Sequence, residues 1–251
     1  MQEKIDKLKV KKGFGKSVAT YRRNAFVQEA IASRLTNVLE TFLGKQTGRI
    51  LEIGCGPGVM TEKVIQHFQF EKYFANDIVD QYDEVIRSIH PKLEFLPGDV
   101  EKIDLPKPLD LVVSSSTFQW FQHLDSFLDK LHDSLQPGGI LAFSSFGPEN
   151  FREIRAVEGT GLNYLPFGKV ERMLSQKFEI LWGEKEILTH YFENPLSILK
   201  HMKLTGVNSL QEKPWTRSDM MRFEENYNDL FGMDLGVPLT YQPIYFIVRR
   251  I

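Results

Sequence analysis

Apolar and polar positions alternate along the first 146 residues with two different periods. Short, densely apolar runs predict buried strands at residues 49–53, 73–77, 93–96, 109–114 and 140–146. Stretches with helical spacing lie between them, at residues 60–68, 80–89 and 124–135. Strands that alternate with helices are typical of a parallel sheet with crossover helices. The pattern therefore predicts an α/β fold.

The pattern is looser after residue 146. It predicts helices at 149–157, 169–176, 196–204 and 218–230, and strands at 178–188 and 239–250. Two long segments, one after the fifth strand and one before the last, interrupt the strand–helix alternation. Long segments on the loop side of an α/β sheet commonly form a lid over the substrate. We therefore expect a single domain over 1–251, with a basic arm and helix (1–48), a cofactor-binding core (49–146), lid helices and a sixth strand (147–238), and a last strand (239–251).

Charge and cysteine content narrow the function classes. The net charge of −2 argues against a dedicated nucleic-acid binder. Residues 1–25 hold eight Lys or Arg and two acidic residues, a local charge of +6, which fits either an acidic partner or a solvated terminus. With Cys55 as the one cysteine and no apolar run long enough to span a bilayer, we expect a cytoplasmic protein without a membrane partner.

A glycine-rich turn follows the first predicted strand, in the sequence I-L-E-I-G-C-G-P-G at residues 50–58. Glycine lets the backbone approach a ligand closely, and the amides that open the next helix favour an anionic group. In a dinucleotide site a third glycine would occupy position 59, which here is Val59. The turn therefore points away from a pyrophosphate cofactor, and the chain has no phosphate loop of the G-x-x-x-x-G-K-[ST] type.

Polar residues also end the next three predicted strands. Asp77 ends the second strand, 25 residues after Glu52, where a carboxylate can accept both hydroxyls of a ribose. Asp99 follows the third strand and can meet an exocyclic adenine amine. The predicted cofactor-binding residues are Glu52, Gly54, Cys55, Gly56, Gly58, Asp77, Ile78, Gly98, Asp99, Val100, Ser114 and Ser115.

With these motifs, residues 49–146 resemble the class I S-adenosylmethionine-dependent methyltransferases. The resemblance implies a Rossmann-like fold with a seven-stranded, mostly parallel sheet, helices on both faces and a helical lid. It also implies an antiparallel last strand between the fifth and sixth, and S-adenosyl-L-methionine as cofactor without a metal. The carbonyls of Ser114 and Ser115 would then face the methionine end of the cofactor.

Further stretches resemble the malonyl-[acyl-carrier protein] O-methyltransferase family of biotin synthesis. They are F-G-K-S-V-A-T-Y-R-R-N-A at 14–25, S-S-S-T-F-Q-W at 114–120, the segment 196–207 and L-T-Y at 239–241. Ser115 stands where that family usually has Asn, which leaves the cofactor contact there open. The resemblance implies methyl esterification of the malonyl carboxylate, with malonyl-acyl carrier protein or malonyl-CoA as partner. That carboxylate has a pKa of about 4, so no catalytic base is needed.

Candidates for the substrate side are Tyr21, Gln119 and Arg155, with Arg152 as a second arginine for the malonyl carboxylate. A packing tyrosine and a solvated arginine face remain open alternatives, and Trp120 is expected in the core. Other functions also remain open: a quinone or aconitate methyltransferase, or a cofactor-binding assembly factor without activity. A carbon-methylating enzyme would need a base, for which His123 is the candidate.

Overall fold

The computed structural model describes residues 5–159, 161–207, 215–234 and 236–251; Glu3 and Lys4 of the basic segment lie outside them. The helices are α1 (Lys7–Ser17), α2 (Tyr21–Asn24), α3 (Phe26–Leu39), α4 (Val59–His67), α5 (Asp83–Ile89), α6 (Leu124–Ser134), α7 (Arg152–Glu158), α8 (Phe167–Leu174), α9 (Pro195–Leu204) and α10 (Arg217–Phe231). The strands are β1 (Gln46–Ile53), β2 (Gln69–Asp77), β3 (Leu93–Pro97), β4 (Leu109–Ser114), β5 (Leu135–Phe146), β6 (Phe178–Lys185), β7 (Leu188–Phe192), β8 (Val237–Tyr241) and β9 (Pro243–Arg250).

Seven strands form the main sheet in the order β3-β2-β1-β4-β5-β9-β6. The first five strands pair in parallel, and β9 lies antiparallel between β5 and β6. The predicted Rossmann-like sheet with an antiparallel last strand between the fifth and sixth is therefore confirmed. The helical lid and the single-domain boundaries stay predictions.

The main sheet is buried on both faces, which explains the continuous apolar runs of its central strands. Successive residues of β1 point to opposite sides, so Ile50 belongs to one core cluster and Leu51 to the other. The cluster around Ile50 includes residues of α3, α4 and α5, and that around Leu51 includes residues of α6 and α8. Because β1 to β5 run parallel, their carboxyl ends meet along one edge of this buried layer.

Two strand predictions were wrong in the C-terminal half. The stretch 239–250, predicted as one strand, is interrupted at Gln242, so that β8 lies in a separate two-stranded sheet with β7 while β9 joins the main sheet. The strand predicted at 178–188 ends at Lys185, and β7 begins at Leu188. Local apolar patterns do not specify which sheet a strand joins, because pairing is decided by tertiary contacts.

The described part of the basic N-terminal segment is helical and packed against the body. Asp6 caps α1 by accepting hydrogen bonds from the backbone amides of Leu8 and Lys9. The spacing of Val10 and Phe14 places both on one face of α1, which is directed at the sheet edge. Within the described residues, no helix is long and apolar enough to cross a membrane.

Candidate functional site

The glycine turn between β1 and α4 is shaped by close approach at one position and by open space at another. Gly54 has φ +69°, and a Cβ there would lie 2.2 Å from Oγ1 of Thr117. Gly56 has φ +52°, and a Cβ there would meet nothing within 4 Å. Both backbone conformations favour glycine. The turn therefore presents bare backbone to a cavity at the carboxyl ends of β1, β2 and β4.

This cavity is the larger of two that adjoin each other at this edge of the sheet. The larger cavity has a volume of about 670 Å³ and opens to solvent. Asp77, at the end of β2, is 8% exposed. Its Oδ2 accepts a hydrogen bond of 2.9 Å from the backbone N–H of Gly56, and its Oδ1 accepts one of 2.8 Å from that of Val79. Burial raises the pKa of Asp77 to about 6. The cavity thus holds an oriented, partly dehydrated carboxyl group beside the glycine turn.

An ion-pair cluster closes the other side of the larger cavity. Nζ of Lys7, on α1, lies 2.8 Å from Oδ1 of Asp99 and 2.6 Å from Oε2 of Glu101. The same ammonium group lies 5.1 Å from the centre of the Phe121 ring. These contacts attach the start of α1 to the loop after β3. Lys7, Val10 and Phe14 were not among the predicted cofactor-binding residues, although their spacing on one helix face is visible in the sequence.

Most of the predicted cofactor-binding residues line the larger cavity: Gly54, Gly56, Asp77, Ile78, Gly98, Asp99, Val100 and Ser115. Four do not line it: Glu52, Cys55, Gly58 and Ser114. The hydroxyl of Ser114 donates to the carbonyl of Ile53, and the Cys55 thiol is buried, which raises its pKa. Tyr82 lines the cavity and was not predicted.

Glu52 lies beneath the glycine turn and not in the cavity. It is 1% exposed, and its Oε2 accepts hydrogen bonds from Thr61 Oγ1 at 2.7 Å and from Tyr73 OH at 2.5 Å. Burial raises the pKa of Glu52 to about 7 despite these two hydrogen bonds. Glu52 therefore ties β1 to β2 and α4.

A smaller cavity of about 360 Å³ adjoins the larger one. Aromatic, apolar, amide and hydroxyl side chains line it: Phe14, Tyr21, Gln28, Ser116, Gln119, Trp120, Phe146, Asn150, Phe151, Leu162, Tyr164 and Val207. Phe14, Tyr21, Ser116 and Trp120 line both cavities. The two cavities thus share a wall made by the N-terminal helices and the loop after β4.

The structure brings Tyr21 and Gln119 together at the smaller cavity but leaves Arg155 outside it. The guanidinium of Arg155 donates to the carbonyl of Asn150 at 2.5 Å and to that of Pro148. Arg152 pairs with Glu149 and Glu153. The expectation of an arginine at the substrate carboxylate is thus not met in this arrangement, because α7 directs both side chains to other partners.

His123, the candidate base, precedes α6 as its N-cap residue and is exposed. It lines neither cavity. Trp120 is buried as expected, with its ring 5.7 Å from that of Phe14 in an edge-on contact. Trp120 therefore packs in the shared wall of the two cavities.

Comparison with known proteins identifies the family. A family model described as a methyltransferase domain matches residues 51–143. The malonyl-[acyl-carrier protein] O-methyltransferase of Calditerrivibrio nitroreducens is 38% identical over 96% of this chain and 96% of its own length. The one of Chlorobium luteolum is 37% identical over 98% of this chain and 96% of its own. The chain belongs to the malonyl-[acyl-carrier protein] O-methyltransferase family.

Solved structures place this malonyl-[acyl-carrier protein] O-methyltransferase family member in the same fold class. A solved structure from Bacillus halodurans has a TM-score of 0.64 at 15% identity, covering 88% of this chain and 98% of that one. An N-methyltransferase from Bradyrhizobium japonicum, solved with S-adenosyl-L-homocysteine, has a TM-score of 0.51 at 15% identity, covering 86% and 85%. At this level of identity the likeness concerns the fold, and the predicted class I methyltransferase fold is confirmed.

Proposed function

We propose that this chain transfers a methyl group from S-adenosyl-L-methionine to the free carboxylate of malonyl-[acyl-carrier protein], giving the methyl ester used in biotin synthesis. The observation that carries the proposal is the pair of adjoining cavities, one beside the glycine turn and Asp77, the other lined by uncharged side chains. Relatives of nearly equal length that bear this enzyme name support the choice of acceptor.

The larger cavity fits the cofactor by its shape and by its hydrogen-bond acceptors. A Cβ at Gly56 would enter open space beside the turn, so the absent side chain leaves room for a ligand against the backbone. In the proposal, Asp77 accepts the ribose hydroxyls and Asp99 meets the adenine amine. Gly54 and Ser115 border the methionine end. When bound, the cofactor supplies a methyl group already activated on a sulfonium.

The smaller cavity fits an acceptor that arrives ionised. A malonyl carboxylate has a pKa of about 4, so at neutral pH its oxygen carries the lone pair that forms the new O–C bond. No proton has to be removed, and the product ester is uncharged. The protein's contribution is to align the oxygen at the shared wall and to exclude water. Tyr21 and Gln119 are the proposed acceptor-side residues.

Two finer points belong to the same proposal. Malonyl-CoA is the alternative acceptor, since it presents the same malonyl thioester without the carrier protein. A cytoplasmic location fits the single cysteine, Cys55, because disulfide bonds are rare in reducing compartments.

Isotopically labelled cofactor, offered with malonyl carrier protein, malonyl-CoA and free dicarboxylic acids, tests the proposal. Mass spectrometry of the carrier protein is expected to show one added methyl group that mild ester hydrolysis removes. Methylation of another acid or a quinone, with both malonyl thioesters unmodified, would overturn the proposed acceptor. Cofactor binding with no acceptor methylated would favour an assembly role.

A further inference from the structure

The lining of the smaller cavity is uncharged, and two of its polar atoms are buried without a partner. Gln28 is 7% exposed, and its Oε1 has no hydrogen-bond partner. The Oγ of Ser116 is also buried without a hydrogen-bond partner. Six such side-chain atoms occur among the described residues, and these two line the same cavity. A buried polar group without a partner destabilises the fold, so the pair indicates a ligand that completes the hydrogen bonds.

Backbone strain is concentrated at the same cavity. Among the described residues, Ser116 and Phe151 are the two non-glycine residues with positive φ, at 55° and 56°. Both line the smaller cavity. A side chain held in the left-handed region costs free energy that the surrounding structure has to offset, and such residues cluster at ligand sites. At Ser116 this conformation accompanies a hydroxyl group on the wall shared with the larger cavity.

We propose that the acceptor carboxylate is held in the smaller cavity by uncharged donors: the hydroxyl groups of Tyr21 and Ser116 and the side-chain amide of Gln28. This inference rests on the proposed function for its choice of acceptor. Tyr21 and Ser116 lie on the shared wall, where the reacting oxygen has to be, and Gln28 lines the smaller cavity alone. A half-turn of the Gln28 amide exchanges its oxygen and its NH₂ group, so it can donate to the second carboxylate oxygen.

The protonation state of the phenols agrees with a donor role. Burial raises the pKa of Tyr21 well above its ordinary value, with the nearby Asp77 acting in the same direction. Burial also raises the pKa of Tyr164 to about 12, although a hydrogen bond of 2.8 Å from Asn150 and the charge of Arg155 both act to lower it. Both hydroxyl groups therefore keep their protons at neutral pH and can donate to an anion.

Uncharged donors also suit the direction of charge change. The carboxylate loses its negative charge as the ester forms. A fixed arginine beside it would stabilise the starting anion more than the transition state, which slows the reaction. Neutral hydrogen bonds orient the same oxygens with a smaller penalty of this kind. The guanidinium of Arg155 is bonded to the carbonyls of Asn150 and Pro148 and does not line the cavity, although its charge lowers the pKa of Tyr164.

The test compares Gln28→Met with the matched control Gln66→Met, an exposed glutamine on α4. Calorimetry measures binding of malonyl carrier protein and acetyl carrier protein to the protein loaded with S-adenosyl-L-homocysteine. Wild type and Q66M are expected to prefer the malonyl form. Q28M is expected to lose about tenfold of that preference, with acetyl binding and S-adenosyl-L-homocysteine affinity unchanged. Tyr21→Phe, which removes one hydroxyl group, is expected to lose preference in the same way.

Thermal unfolding separates this role from a structural one. If Gln28 serves the ligand, Q28M removes an unpaired buried polar atom and its melting temperature is expected to rise. A lower melting temperature together with an unchanged malonyl-to-acetyl ratio would overturn the inference. If wild type leaves malonyl carrier protein unmethylated and shows no malonyl preference, the proposed function and the inference both fail. If wild type methylates it and Q28M keeps the preference, the inference alone fails.

Discussion

The carboxyl group of Asp77 is nearly out of reach of solvent and is oriented by two backbone amides. Hydrogen bonds from the N–H groups of Gly56 and Val79 fix its plane, and each oxygen keeps a lone pair for a further donor. Burial and hydrogen bonding act on its pKa in opposite directions, and burial is the larger cause. The group is therefore rigid, and its pKa is raised to about 6.

We expect Asp77→Ala to weaken binding of S-adenosyl-L-homocysteine by about 1–3 kcal/mol, because ribose hydroxyls would lose their charged acceptor. Calorimetry on the folded variant measures this. Asp125→Ala is the matched control, since Asp125 pairs with Lys177 outside the cavity and its loss should leave the affinity unchanged. Equal affinity of D77A and wild type would refute the role of Asp77.

The pH dependence gives a second measure of the same role. Affinity for S-adenosyl-L-homocysteine is expected to fall below about pH 6, by up to tenfold per pH unit, as Asp77 becomes protonated. Asp77→Asn should remove this dependence and Glu52→Gln should keep it.

Folding stability depends on pH in the opposite direction. Because the pKa of Asp77 is raised in the folded state, its contribution to the free energy of unfolding falls as pH rises from about 4 to about 6.

Sequence patterns locate some of these residues and not others for a physical reason. The glycine turn and Asp77 follow directly from strand ends, because parallel strands bring their carboxyl ends to one edge. Gln28 and Lys7 reach the cavities through the packing of N-terminal helices, which no local pattern specifies. The sequence also does not show which partner a charged side chain on a helix will find, and Arg155, expected at the acceptor carboxylate, donates to two backbone carbonyls.

At the level of elements, α1 forms part of the wall of the larger cavity and is attached through Lys7. The side chain of Lys7 is 15% exposed, and its ammonium group pairs with Asp99 and Glu101, whose side chains are 12% and 13% exposed. Removing one partner of such a partly buried cluster costs more than removing one of an exposed pair, because the remaining charges stay desolvated without compensation. The attachment of α1 to the loop after β3 therefore contributes to closure of the cavity.

We expect Lys7→Met to increase the dissociation rate of S-adenosyl-L-homocysteine severalfold, because the start of α1 loses both ion pairs to the cavity rim. Stopped-flow dissociation measures the effect. Lys12→Met on the exposed face of α1 is the control and should leave the rate unchanged. Identical rates for K7M and wild type would mean that α1 does not control ligand exit.

Helices and strands were predictable where the spacing of apolar residues within the element matches the helical or strand period. The predicted strands at 49–53 and 109–114 match the buried parts of β1 and β4. The helix predicted at 124–135 ends at Ser134, because Leu135 is already extended and pairs with Leu109 in the sheet. β7 was missed because it is short and has no buried residue, so its sequence shows no apolar period. Its pairing with β8 is what makes it a strand.

At the scale of the whole molecule, positive charge is concentrated near the acceptor side. Lys12 and Lys16 on α1 are exposed, as are Lys200 and Lys203 on α9. The hydroxyl of Thr20, just after α1, donates to the carbonyl of Leu204 at the end of α9, which holds these helices side by side. A basic surface beside the smaller cavity favours encounter with an acidic protein.

We expect activity on malonyl carrier protein to fall with ionic strength more steeply than activity on malonyl-CoA, because salt screens long-range attraction between proteins. Initial rates at limiting acceptor over a salt series measure this. The double variant Lys12→Glu with Lys16→Glu should reduce the salt dependence, whereas Lys169→Glu on α8 should not. Parallel salt curves for the two acceptors would show that the basic surface does not select the carrier.

The position of β9 determines the order in which the sheet can be completed during synthesis. In the described part of the chain, β6 pairs with β9 and with no other strand, and β9 begins 58 residues after β6 ends, at Pro243 against Lys185. A chain leaving the ribosome can assemble β1 to β5 early, because each new strand finds a finished neighbour. β6 has no partner until β9 emerges. Until the final strand arrives, a nascent chain therefore exposes one unpaired edge of β5 and both edges of β6, and for that period it is open to association with other chains.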